Sequence, residues 1–193
     1  RVAIQSRVRV LPTADQETVR REAVLGRQFN FNTLAEASAQ EGSSNCDEEV
    51  LIEALESAER AQLIEEVSGE EGGTFSFVNA LIPATLVESL RTLERRRLHR
   101  RAAEAIANRY PDDFEVLAHH YRQAGKDNEA ATYLLQAGDR ARRLYAHQEA
   151  IDNYQQALEI LKKAGDTEQV ARTLMKLGLT YHNAFDFREA RRA

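Results

Sequence analysis

The feature that most constrains this chain is a spacing in its C-terminal half. Leu134, Ala137, Gly138 and Ala141 fall at i, i+3, i+4 and i+7, and Ala150, Tyr154 and Ala157 follow at i, i+4 and i+7. Leu174, Leu177, Gly178 and Tyr181 then repeat the first set, and Ala190 reopens the second. Each set has the helical period, so each is one apolar stripe on one helix. Small residues within a stripe let two helix backbones approach closely, while the aromatic side chains fill the gap between pairs. The joins between the predicted helices are short, which makes sequential helices antiparallel neighbours. A pair of this kind cannot bury its stripe alone and needs a stacked neighbour.

This pattern follows the tetratricopeptide repeat. Its two copies lie 40 residues apart, Leu134 to Leu174, against 34 in the standard repeat. The extra residues fit a longer helix end and loop around 163–170. Phe114, Leu117, Ala118 and Tyr121, followed by Ala130, form a weaker third copy whose second helix doubles as the first helix of the next. Helices are predicted at 93–109, 114–123, 128–144, 147–163 and 167–182. The expectation is a tetratricopeptide-like helical array over 92–193. Such arrays present an extended surface to peptides or other protein segments, so a protein or peptide partner is expected on the repeats.

The N-terminal half reads differently. Ile4, Val8 and Leu11 have helical spacing, and Pro12 stops that segment. Thr13 and Gln16 have the spacing of a capping box, opening a helix whose apolar face is Val19, Ala23 and Val24 and whose C-cap is Gly26. Phe29 and Phe31 read as an apolar staple into a short helix at 32–39, and 41–45 is a loop by composition. Residues 47–62 carry Val50, Leu51, Ala54, Leu55, Ala58 and Ala61 on one helical face. Residues 63–67 and 74–78 alternate as strands around a turn at 68–73, and a helix at 79–90 tolerates Pro83 in its first turn. The order helix, helix, helix, strand, turn, strand, helix is that of a winged helix, assigned to 13–91. The fold class is therefore mostly α, with one small β-hairpin.

Composition narrows the function. The chain has 193 residues, 42% of them hydrophobic, with nine Gly and three Pro, which excludes a disordered or collagen-like chain. Its apolar runs are too short to span a membrane. The lone Cys46 cannot form an internal disulfide and gives no sign of an oxidising compartment, so a cytoplasmic location is expected. The net charge of −5 disfavours wholesale nucleic-acid binding. The predicted third helix carries Asp47, Glu48, Glu49, Glu53, Glu56 and Glu59 against Arg60 alone, and phosphates would repel it. The start at Arg1 and an end inside a helical pattern read as a piece of a longer protein.

Little in the sequence carries covalent chemistry. Gly26 and the 69–73 stretch lack the following Lys-Ser/Thr of a phosphate loop, and no nucleophile or His-Glu-x-x-His arrangement occurs. Glu115 and His119 share a helix face beside His120, but no third ligand is near, so no metal is expected. Arg95, Arg96, Arg97, Arg100 and Arg101, with Arg91, form a basic run that suits either anion contact or a solvated face. The chain is read as non-enzymatic.

An ordered set of segments, 23–29, 51–63, 75–82, 88–90, 96–102 and 117–125, closed by Tyr145, Ala146, Glu149 and Ala150, resembles the region that follows the ATPase core in bacterial signal-transduction ATPases with numerous domains (STAND). These are relatives of the AAA+ and apoptotic ATPases. The resemblance implies that 1–12 ends an upstream ATPase lid, that ATP or ADP binds that upstream domain, and that the winged helix packs on the nucleotide while the repeats sense a partner or inducer. Many such relatives have His where this chain has Asn79, so Asn79 is the nucleotide-proximal position the resemblance implies. The chain would then be a regulatory and protein-interaction segment of a signalling ATPase or transcriptional regulator. A standalone tetratricopeptide adaptor and a DNA-binding winged-helix regulator are the alternatives.

Overall fold

The computed structural model describes residues 2–39, 48–67 and 73–184. They fall into two units, Arg1–Arg109 and Tyr110–Ala193. The first contains α1 (Val2–Val10), α2 (Thr13–Leu25), β1 (Gln28–Asn30), α3 (Phe31–Ser38), α4 (Glu48–Arg60), β2 (Ile64–Val67), β3 (Thr74–Phe77), α5 (Leu81–Ser89) and α6 (Thr92–Arg109). The second contains α7 (Phe114–Ala124), α8 (Asp127–Arg143), α9 (His147–Ala164) and α10 (Thr167–Asn183). The expectations at 41–45, Cys46, Asp47, 68–72, the join after Ala184 and Ala190 lie outside the described residues.

In the first unit the alternation at 64–67 and 74–77 becomes an antiparallel ladder, with Ile64 opposite Phe77 and Val67 opposite Thr74. A third strand joins it. The segment read as an apolar staple is β1, and it pairs with β3 through Gln28 and Ser76, Phe29 and Phe75, and Asn30 and Thr74. The sheet order is β1-β3-β2, so the last strand in sequence is the central one. Phe29 is drawn into this register because its ring stacks 5.8 Å from Phe75 and packs 5.8 Å from Phe77. Asn30 then caps α3, its side chain accepting the Asn32 amide at 2.9 Å.

Helices cover the sheet with one core of Val8, Val19, Leu34, Leu55, Leu63 and Phe77, among others. Two expectations are corrected here. The capping box is absent: Pro12 occupies the N-cap with Thr13 already helical, and Gln16 Nε2 donates to the Leu11 carbonyl at 2.9 Å instead of the cap amide. Proline at the cap sets the entry angle, so the hydroxyl has no terminus to serve. The unit also runs to Arg109 rather than to residue 91, because α6 buries Ala102, Ala103, Ala105 and Ile106 and packs on α2 and α3. Asn108 Nδ2 donates to Glu36 at 2.5 Å and Arg109 pairs with the same carboxylate at 3.3 Å. At the other end, Val8 and Leu11 enter the core with Ile4 packed against it, so residues 4–11 belong to this unit.

One carboxyl lies inside it. Glu22 is fully buried, neither oxygen has a hydrogen-bond partner among the described residues, and burial alone pushes its pKa from 4.5 up to about 8.

The second unit is built from helix pairs in sequence: α7 packs on α8, α8 on α9 and α9 on α10. Gly138 lies against the ring of Tyr154, where an added Cβ would meet Cε1 at 2.6 Å. The glycine is therefore required by close approach, and the fully buried tyrosine occupies the space its missing side chain leaves. Tyr121 and Tyr133 stack at 5.4 Å across α7 and α8. The result is a mostly helical chain with a three-stranded sheet and a tetratricopeptide-type helical array.

Candidate protein-interaction site

The second unit carries a polar ledge that spans three helices. Asp139, next to the tightly packed Gly138 on α8, accepts from the Tyr154 hydroxyl of α9 at 2.7 Å and from Lys176 Nζ of α10 at 2.7 Å. Burial opposes ionisation of Asp139, but the bonds from Lys176 and Tyr154 and the charges of Lys176 and Arg142 outweigh it and hold the carboxyl below its ordinary range. Burial, and then the bond to Asp139, pushes the Tyr154 phenol up to about 12. Asp139 is thus an anion that ties α8 to α10. Spacing of three and four places Gln136 and Arg143 beside it on α8, and Arg172 and Leu179 beside Lys176 on α10. Further bonds lace the helices, Gln155 Nε2 to the Tyr181 hydroxyl at 2.8 Å and Arg122 to Gln156 at 3.3 Å. Together these bonds fix charges and amides on a rigid helical scaffold.

Residues 142–193 match a family model for the tetratricopeptide repeat. No curated protein and no solved structure matches the chain. The tetratricopeptide match covers α9 and α10, and the α8 stripe that packs on them carries the same small-residue spacing. Among the described residues no helix is long and apolar enough to cross a membrane.

The residues singled out from sequence fall in several places. Glu115 is held by Arg140, whose guanidinium reaches its Oε2 at 2.9 Å, the Asp112 carbonyl at 2.7 Å and the Phe114 ring at 5.3 Å. That carboxylate fixes α7 to α8 in the second unit, while His120 is buried and sits edge-on to His119. Burial and then the Arg122 charge lower the His119 pKa. Asn79 is exposed, and its Oδ1 accepts the Leu81 amide at 2.8 Å at the start of α5. Arg91, just before α6, and Arg96 and Arg97 on it are exposed, whereas Arg95, Arg100 and Arg101 are partly buried. Arg100 pairs loosely with Glu104 at 3.9 Å. The run is spread around the helix and does not converge on one point.

Sequence reasoning passed over Asp139 and Lys176. Their signal was positional, since Asp139 follows the repeat glycine and Lys176 precedes Gly178 by two. It also passed over a concavity of about 500 Å³ in the first unit, lined by Phe31, Ile52, Leu55, Phe75 and the carboxylates of Glu56, Glu59 and Glu66. No local pattern joins those positions, which come from α3, α4, β2 and β3.

Proposed function

We propose that this chain is a non-catalytic regulatory and protein-interaction segment of a cytoplasmic signalling ATPase. The tetratricopeptide helices bind a protein partner, and the first unit is a winged helix that passes this event to an ATPase core upstream. The observation that carries the reading is the tetratricopeptide match joined to the Asp139 ledge across α8, α9 and α10. The strand order β1-β3-β2, with α3 and α4 between the first two strands in sequence, supports the winged-helix part. Binding at the repeats would bias a two-state arrangement of the whole protein by its different contacts in each state. ATP or ADP would belong to the upstream core, and Asn79 would serve α5 instead of a nucleotide.

The test has two steps. The coding sequence upstream of Arg1 should contain a phosphate-binding loop. In the full-length protein, reversing the ledge with Asp139→Lys and Lys176→Glu should change the rate of fluorescent ADP release or its response to partner. Unchanged release, with the fold intact by circular dichroism, sinks the switch. A DNA-binding regulator would instead show steep loss of duplex affinity between about 50 and 200 mM salt.

A further inference from the structure

The concavity of the first unit has a composition unlike the ledge on the repeats. Its floor is apolar: Phe31, Phe75 and Leu55, with Ile52 left 46% exposed at the edge. Its rim is acidic, with Glu56 and Glu59 from α4 and Glu66 from β2, all exposed. Among the described residues that line it, none is Lys or Arg. Ile52, Leu55, Glu56 and Glu59 stand at i, i+3, i+4 and i+7, so one face of α4 supplies both floor and rim. The cation in the last turn of α4, Arg60, is turned back along its own helix, donating to the Glu56 carbonyl at 3.2 Å and the Ser57 hydroxyl at 3.3 Å.

Each property selects an occupant. Carboxylates around a low-dielectric cleft focus a negative potential and attract cations. They repel phosphates, which excludes a nucleic acid or an acidic peptide from this face. The aromatic floor adds a second requirement, an apolar group to cover it. A volume of about 500 Å³ holds side chains, not a folded element. Lys and Arg satisfy both demands at once, laying their methylene stems on the apolar floor with the charge at the rim, and Arg also stacks on aromatic faces.

We infer that the groove formed by α3, α4 and the β2–β3 pair is a docking site for a basic protein segment, one large apolar side chain flanked by Lys or Arg. This surface is separate from the repeats and does not depend on how they function.

The experiment is a fluorescence-anisotropy titration of the full chain against a labelled dodecapeptide with a central Phe-Leu between Lys-Arg pairs. Binding should weaken about tenfold or more when Phe-Leu becomes Ser-Ser, and by a similar factor in Glu56→Lys/Glu59→Lys. Ile52→Ser, a change at an exposed position, should weaken it several-fold with the fold intact. Glu149→Lys/Glu159→Lys makes the same charge change in the second unit and should leave binding within about twofold. Equal binding of the Ser-Ser peptide, equal loss in the second-unit control, or no binding overturns the proposal. So does a dimer in sedimentation that Glu56→Lys dissolves, which would assign the groove to a second copy.

Discussion

The two units bury their side chains by opposite strategies. In the first, partners are far apart in sequence: β1 at 28–30 completes its hydrogen bonds only with β3 at 74–76, and Asn108 reaches back to Glu36. In the second, each helix packs on the next, and the tie from Asp139 to Lys176 joins α8 to α10 across 37 residues of sequence. Nearest-neighbour packing of this kind forms and fails piecewise, whereas a sheet closed by non-local strands forms as a whole. Two buried side chains differ as well. Glu22 in the first unit has no hydrogen-bond partner among the described residues, while Tyr154 and Asp139 in the second satisfy each other. The carboxyl penalises stability, whereas the shared bond orients helices.

Four changes break or sharpen this contrast. Tyr154→Ala removes a fully buried ring and should destabilise the second unit by about 3–5 kcal/mol. Hydrogen exchange should then lose protection in α8 and α9 while the slowest amides of the first unit keep theirs; uniform loss would break the comparison. The next effect belongs to Glu22. Its folded pKa is raised, so the penalty is absent below about 4.5, grows as the unfolded chain ionises, and is complete above about 8. Stability should therefore fall by a few kcal/mol between those values, and thermal midpoints of Glu22→Gln should lose most of that slope. A wild-type curve flat across the window would mean that the carboxyl has solvent or a partner. Gly138→Ala comes third, since its methyl meets the Tyr154 ring at 2.6 Å. Overpacking of about 1–3 kcal/mol should exceed the roughly 1 kcal/mol gain in helix propensity, visible as a lower urea midpoint. The smallest is Asn79→Ala, which removes the acceptor for the Leu81 amide and should cost about 1 kcal/mol. Asn79→Asp should retain that stability in the same urea titration, and no loss in the alanine variant would leave the side chain free for another role.

Legibility follows the same divide. The helices of the second unit were placed within a residue or two of their ends, because periodic stripes and short joins are local signals. The β2–β3 hairpin was legible for a similar reason, as two alternating runs around a turn. β1 was not, since three residues are too few to show a period and Phe29 looks the same in a staple as in a strand. The capping box misled because Thr13 and Gln16 have the spacing, while Pro12 takes the position. Glu115 and His119 resembled a ligand pair from spacing alone, and only the fold brings Arg140 to that carboxylate. The basic run on α6 hid the alanines that bind this helix to the first unit.

The amino-acid order by itself determined the helical periods, the hairpin, the repeat and the excess of acid along α4. All of these are local, and each depends on residues within a turn or two of one another. The tertiary structure alone decided which strand closes the sheet, which unit α6 joins, and that Glu22 is sealed in the core. It also gathered Glu56, Glu59 and Glu66 around one apolar floor and set Asp139 between Tyr154 and Lys176. Those outcomes rest on burial and charge between residues tens of positions apart. Such energies exist only after the chain has closed on itself, and no window of sequence contains them.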